Sequence, residues 1–336
     1  MASGNPDTPR NLAALPTNVL LVGQEISEVQ RRGRYLSAST SAHPGKMLPR
    51  LAHALIEAYT QPGDCILDPM SGIGTTGVEA IELGRDYVGV ELEARFVRWQ
   101  EGNLALARQR RGRQRASGQA TVIQGDARDL AALPRLPATV DAVITSPPYG
   151  DRLKPRVGRL STVLTQLIEQ GIFKPNIVPS SYGSTTANLG NLADVDYLAE
   201  MRRIYTGCFA RLKPGGHMVV VMRPGRDHQR LRPLHHDTAR MCTAIGFDYI
   251  DELAAVIGRV ELPPAATGAP PRVIAHGHFW KRLHVAHLRE AGFPVTLEQI
   301  EYVLVFQKPG EARAARRRVA MAPIHDKSGL AATLAC

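Results

Sequence analysis

The chain has 336 residues, 44% hydrophobic and 21% charged, enough for one large α/β domain with insertions or for two modest ones. No apolar run approaches the about 18 residues that span a membrane, no leader-like apolar stretch follows the N-terminus, and Cys65, Cys208, Cys242 and Cys336 form no CxxC pair. This excludes a disulfide scaffold and a zinc-finger class and makes a reduced cytoplasmic protein the simplest expectation. Lys and Arg number 41 against 31 Asp and Glu, a net +10 that suits a polyanionic partner. Runs such as Arg31-Arg32-Gly33-Arg34, RQRRGRQR (108–115) and Arg316-Arg317-Arg318 equally describe solvated helix faces.

Residues 1–42 are polar, broken by Gly and Pro, and read as a flexible lead-in. From His43 the signals alternate. PRLAHALIEAYT (49–60) has helical apolar spacing and is broken by Gln61-Pro62-Gly63. CILD (65–68) reads as a buried strand, TTGVEAIELG (75–84) as a helix closed by Gly84, and DYVGVEL (86–92) as the next strand. A helix follows through Phe96, Trp99 and Leu104. ATVIQGD (120–126) and VDAVITS (140–146) are strands. Residues 150–192 and 224–275 interrupt the pattern as insertions. Between them lie a helix (197–212), a turn at Lys213-Pro214-Gly215-Gly216 and the strand HMVVVM (217–222). IEYVLVFQK (300–308) closes the sheet, and 309–336 read as a basic tail. Strands alternating with helices at this spacing predict βαβ units and a doubly wound, mostly parallel sheet.

LDPMSGIGTTG (67–77) follows a strand, opens a helix and contains GxGxxG at Gly72, Gly74 and Gly77. Such a turn brings backbone and helix N–H groups close to a ligand. Glu91, ending the next strand, can hold ribose hydroxyls. On these features alone a nicotinamide dinucleotide enzyme competes. However, Asp68 before the glycines would repel a pyrophosphate and suits a ligand bearing an ammonium group. Moreover the strand ending at Ser146 stops in Ser146-Pro147-Pro148-Tyr149, and prolines fix φ and remove donors. In a doubly wound sheet Asp68 and Ser146 flank the switch point where ligands bind.

DPMSGIGTT followed by TSPPYG resembles the amino-methyltransferases of DNA, the N4-cytosine and N6-adenine enzymes that use S-adenosylmethionine. HPGKMLPRL (43–51) resembles that family's upstream cofactor segment and IEYVLVFQKP its closing strand, so the resemblance spans 43–308. It implies a Rossmann-like, seven-stranded class I methyltransferase fold with insertions. It also implies cofactor contacts at His43, Lys46, Met47, Asp68, Pro69, Gly72, Gly74, Thr75, Thr76 and Glu91, with Asp126 meeting the adenine amino group; the plain alternative for Asp126 is a helix N-cap. Ser146 and the Pro147 carbonyl would accept from the target amino group, Pro148 would stiffen the corner, and Tyr149 would stack on a flipped base. Serine in SPPY is typical of N4-cytosine enzymes, so N4 of cytosine is the expected target. N6 of adenine and a tRNA guanine-N2 enzyme, which shares the glycine turn, are the alternatives, and a non-catalytic nucleic-acid-binding fold is the alternative of another class. Arg152, Lys154, Arg156 and Arg159, just past the corner, are candidates for phosphate contacts. The expected partner is double-stranded DNA, with a cognate restriction endonuclease possible in principle; no metal and no membrane is expected. The cofactor-loop-first order departs from many SPPY enzymes, and target recognition has only 150–192 and 224–275 to reside in.

Overall fold

The computed structural model describes residues 17–43, 45–112, 118–148, 188–192, 194–227, 230–276, 285, 289–290, 292–293 and 296–310. In chain order the strands are β1 (Val19–Leu21), β2 (Cys65–Asp68), β3 (Asp86–Glu91), β4 (Ala120–Gln124), β5 (Val140–Thr145), β6 (Leu212–Met222), β7 (Gly225–Asp227), β8 (Arg230–Arg232), β9 (Asp248–Val256), β10 (Arg259–Glu261), β11 (Arg272–Ile274) and β12 (Ile300–Gln307). The helices are α1 (Ser27–Arg31), α2 (Ser37–Ala42), α3 (Pro49–Tyr59), α4 (Thr75–Glu82), α5 (Ala94–Arg111), α6 (Asp194–Arg211) and α7 (Leu234–Ile245).

Eight strands form one mixed sheet in the order β1-β9-β12-β6-β5-β2-β3-β4, with β12 antiparallel to both its neighbours and every other pair parallel. The chain runs outward from β2 through β3 to β4, then crosses back to β5 on the other side of β2. The switch point therefore lies between β2 and β5, as the positions of Asp68 and Ser146 predict.

Successive strand residues face opposite layers, so both faces of these short apolar runs are buried. Ile66, Ile144 and Val219 pack with Leu51, Val78 and Leu104 of α3, α4 and α5. Their neighbours Leu67, Val143 and Val220 pack with Tyr205, Cys208 and Cys242 of α6 and α7. Val140 pairs with Leu212 and Ala142 with His217, so 213–216 loop out of the ladder where the turn was expected. Gly215 there has φ +80.

The eighth strand corrects the expectation of seven and, over the described residues 17–42, that of a loose lead-in. Val19–Leu21 pairs with Ala254–Val256 of β9, and the segment that follows is joined to α3 through Gln30 and to α4 through Arg31, both buried. Three strand residues carry too little periodicity to be read in advance. Because β1, β2, β3, β5, β6 and β9 are parallel, the connections after them all leave the sheet at one end, the carboxyl end. The hairpins β7–β8 and β10–β11 stand at that end, on the β6 and β9 side of the switch point. Among the described residues no helix is long and apolar enough to cross a membrane.

Candidate active site

The glycine turn is held from beneath by polar groups that the core has enclosed. Gly72 and Gly74 adopt φ +53 and +78, a region that only glycine enters without strain. Ser71 N donates to Val90 O (3.0 Å) and Gly74 N to Ser71 O (2.8 Å). The Ser71 hydroxyl lies 2.8 Å from Gln100 Oε1, whose Nε2 donates to the Tyr87 hydroxyl (2.8 Å). Asn103 Nδ2 donates to Ile73 O (2.9 Å). A Cβ on Gly74 would stand 2.5 Å from Gln100 Cγ, so this position requires glycine for close packing as well as for φ. Gln100, Asn103 and Tyr87 were missed in the sequence. The available signal was two polar residues within the stripe Phe96, Gln100, Asn103, Ala107, which α5 turns inward.

Asp68 ends β2 and is 3% exposed. Its Oδ1 accepts from the Thr145 hydroxyl (2.8 Å) and from Met70 N (3.2 Å), and its Oδ2 from the Thr76 hydroxyl (2.8 Å). One carboxylate thus joins β2, the first turn of α4 and the last residue of β5. Burial pushes its pKa up to about 6, against the pull of those three hydrogen bonds. Glu91, half-buried at the end of β3, accepts from Gly72 N (2.8 Å) and Glu93 N (2.9 Å). Burial raises it to about 7.

Asp126, beyond the end of β4, caps a short 3₁₀ turn by accepting from Arg128 N (2.9 Å), and both its oxygens lie 2.9 Å from Arg128 Nε. Burial works to raise its pKa, but the Arg128 bonds outweigh it and the group sits below its ordinary value. The capping alternative for Asp126 is therefore what the backbone shows. Its carboxylate remains at the carboxyl end, one strand beyond Glu91, since Glu91 pairs with Gln124.

The segment from His43 to Met47 forms a strap beside the turn. The His43 ring packs 4.5 Å from that of Phe96, and a Cβ on Gly72 would lie 3.0 Å from His43 Nε2. Burial, and then the charge of Lys46, holds the His43 pKa down at about 3, so the imidazole is neutral. Lys46 Nζ donates to His43 O (2.6 Å), and burial, with Arg31 nearby, lowers it to about 8. Met47 is buried. Pro69 is buried, and Thr75 and Thr76 form the first turn of α4.

Thr145 leads directly into Ser146 and Pro148, both half-buried, with Pro147 buried between them. Tyr149, Arg152, Lys154, Arg156 and Arg159 lie outside the described residues. The Asn188 amide donates to Glu93 Oε1 (3.1 Å) past the end of β3. Several arginines of two basic runs are paired within the chain. Arg34 pairs with Glu79 (2.7 Å) and Glu82. Arg110 pairs with Glu82, and Arg108 Nη2 donates to Ala120 O (3.0 Å). The end of α5 is also at the opposite end of the sheet from the switch point. Arg110→Ala is therefore expected to leave nucleic-acid affinity within about twofold of wild type, with an unchanged salt slope, as fluorescence anisotropy of labelled duplex would read.

Residues 17–101 match the family model described as DNA methylase. Among curated proteins, the tRNA (guanine(10)-N2)-dimethyltransferase of Methanothermobacter thermautotrophicus is 37% identical over 109 residues, 32% of this chain and 29% of that one. The DNA adenine methyltransferase YhdJ of Escherichia coli is 34% identical over 94 residues, 28% of this chain and 29% of that one. The matches thus span under a third of the length of either relative. Among solved structures, TrmN from Thermus thermophilus aligns over 83% of this chain and 53% of its own at 17% identity and a TM-score of 0.41. The matched segment carries the strap, the glycine turn and Glu91, and it is over these residues that the chain resembles the DNA methylase family.

Proposed function

We propose that the protein transfers a methyl group from S-adenosylmethionine to the exocyclic amino group of a base in nucleic acid, with cytosine N4 of duplex DNA as the favoured target. The observation that carries this reading is the Thr145–Asp68 hydrogen bond of 2.8 Å. It fastens the glycine turn to the SPPY corner, so the cofactor-side and target-side motifs share one wall of the switch-point crevice.

The residues present fit such a cofactor. Asp68, Glu91 and Asp126 end or follow three adjacent strands, and glycine at position 72 leaves the space between the turn and His43 that a Cβ would fill. Asp68, Gly72 and Gly74 would face the methionine part, with Pro69, Thr75 and Thr76 shaping the turn around it. Glu91 would take the ribose hydroxyls and Asp126 the adenine amino group, with His43, Lys46 and Met47 closing the other side. S-adenosylmethionine supplies an electrophilic methyl on a sulfonium centre. The chain's part is to make a poor nucleophile attack it. An exocyclic amine shares its lone pair with the ring, and two acceptors on its hydrogens draw that pair out of conjugation. The Ser146 hydroxyl and the Pro147 carbonyl are those acceptors, and the proline pair holds them fixed before binding, so little entropy is lost on closure. Pro148 would stiffen the corner, and Tyr149 would offer its ring to a flipped base.

Target recognition belongs to the segments at the carboxyl end. Residues 150–192, with Arg152, Lys154, Arg156 and Arg159, would position phosphates, and of 224–275, whose α7 and β9 belong to the central fold, the two hairpins β7–β8 and β10–β11 would contribute. An RNA guanine-N2 reading is favoured by one observation, the 37% identity over 109 residues to a tRNA (guanine(10)-N2)-dimethyltransferase. The deciding experiment incubates the protein with labelled S-adenosylmethionine and either duplex DNA or total tRNA, then digests to nucleosides for mass spectrometry. N4-methylcytosine from DNA supports the full reading. N6-methyladenine retains the mechanism and refutes the base, label in tRNA alone moves the substrate to RNA, and label in neither refutes the transfer.

The raised Glu91 pKa gives a pH signature. Its charged form prevails only above about 7, and a cationic ligand binds that form better. Cofactor affinity is expected to fall severalfold from pH 8 to pH 6.5 by calorimetry. Glu91→Gln is expected to be weaker at pH 8 and flat across that range.

A further inference from the structure

A buried cation stands behind the glycine turn. Arg31, at the end of α1, is 1% exposed, and its guanidinium meets neutral partners from three segments. Nε donates to Ser27 Oγ in α1 (3.2 Å), Nη1 to Thr75 Oγ1 in the first turn of α4 (3.1 Å), and Nη2 to Met47 O in the strap. The Tyr35 ring lies beneath it, 4.7 Å from the guanidinium carbon. The nearby carboxylate, Glu79, is one helical turn beyond Thr75 on the same face of α4. It is taken up by Arg34 (2.7 Å), the Tyr35 hydroxyl (3.3 Å) and His53 Nδ1 (3.3 Å).

Burying a charge without a directly bonded counter-ion is costly, and a well-packed apolar side chain would brace α1 on α4 more cheaply. What an apolar side chain lacks is a rigid fork reaching three acceptors at once, and lysine lacks it too. Two of those acceptors matter for ligand geometry. Met47 O belongs to the strap that sets His43 against the turn, and Thr75 is the first helical residue after Gly74. The strap already stands at contact distance from the turn, since a Cβ on Gly72 would lie 3.0 Å from His43 Nε2. A shift of about 1 Å would close or open that gap, a displacement large enough to matter for a positioned ligand.

We infer that Arg31 is a positioning residue for the cofactor, tying the His43–Met47 strap to the head of α4 so that the gap between strap and glycine turn has one width. The inference rests on the S-adenosylmethionine reading, and its test has one reading independent of it. Hydrogen exchange of the ligand-free protein is followed at amides 45–48, with β5 and β12 as internal references. Calorimetric affinity for S-adenosylmethionine and kcat at saturating cofactor are measured on the same preparations. Arg31→Met is expected to speed strap exchange at least tenfold with the reference strands unchanged. It should raise the cofactor Kd at least tenfold while kcat stays within twofold. Arg31→Lys, which keeps the charge but not the fork, is expected to fall between and serves alone if Arg31→Met does not fold; an effect of at least threefold on exchange and Kd is then expected. Unchanged strap exchange in the folded variants overturns the inference, as does a kcat that falls as far as Kd rises. A wild-type protein that fails to bind S-adenosylmethionine refutes the cofactor reading, and the exchange rates at 45–48 then decide the role of Arg31 by themselves.

Discussion

Asp68→Asn is expected to yield a folded protein, at least as stable as wild type at pH 8, that binds S-adenosylmethionine ten- to a hundredfold more weakly. The stability half follows from burial. Raising a carboxyl from its ordinary 3.8 to about 6 is worth about 3 kcal/mol of folding free energy at a pH where the group is ionised. The sign follows from proton uptake. Between pH 4 and 6 the folded protein binds more protons at Asp68 than the unfolded chain does, so stability contributed there is full below about 4 and is lost as pH rises through about 6. Asparagine removes that dependence. Its oxygen can accept from Met70 N and Thr145, and its amide can donate to Thr76 once that hydroxyl turns, so no buried group is left unpaired.

The binding half follows from charge. A unit charge about 5 Å from a cationic ligand at an effective dielectric near 20 is worth about 3 kcal/mol, up to a hundredfold in affinity. Urea titrations of both proteins at pH 5 and pH 8, with calorimetry at pH 8, check the pair of expectations. A variant less stable at pH 8 than at pH 5 relative to wild type would refute the burial argument. An unchanged Kd would remove Asp68 from the ligand's surroundings.

The placement of Asp68 shows how far the sequence reaches. Its position at the end of a strand, before glycines, follows from the apolar run CILD and the break after it. That its oxygen accepts from a threonine 77 positions away follows only from strand order, which alternation constrains but does not fix. The same division separates α4, legible from spacing and from Gly84, from β1, whose three residues gain their identity by pairing with β9. The polar supports Gln100 and Asn103 were hidden because their neighbours on α5 make an ordinary apolar stripe. Charge misled for a related reason. Arg31, Arg34, Arg108 and Arg110 look like a surface for polyanions until the fold supplies Thr75, Glu79, Ala120 and Glu82 as partners. Composition records how many cations a chain has, and only the fold says which are committed internally.

Ser146→Ala is expected to lower kcat a hundred- to a thousandfold while cofactor affinity and thermal stability stay near wild type. Ser146 is half-buried and follows β5, so losing its hydroxyl opens no core cavity and leaves the Asp68–Thr145 bond in place. The lost acceptor acts mainly as the amine's lone pair leaves the ring, and removing one such preorganised hydrogen bond typically costs about 3 to 4 kcal/mol of barrier. The Pro147 carbonyl, a backbone group, remains, so a residual rate above background is part of the expectation. Ser146→Asp restores an acceptor at the same position and is expected to recover more activity than alanine does. Single-turnover methylation at saturating S-adenosylmethionine separates the chemical step from base extrusion and product release. If alanine slows only multiple turnovers, Ser146 serves binding or release. If it slows neither, the lone pair is drawn out of the ring by groups other than Ser146, and the rigid corner is a scaffold for the aromatic ring that follows it.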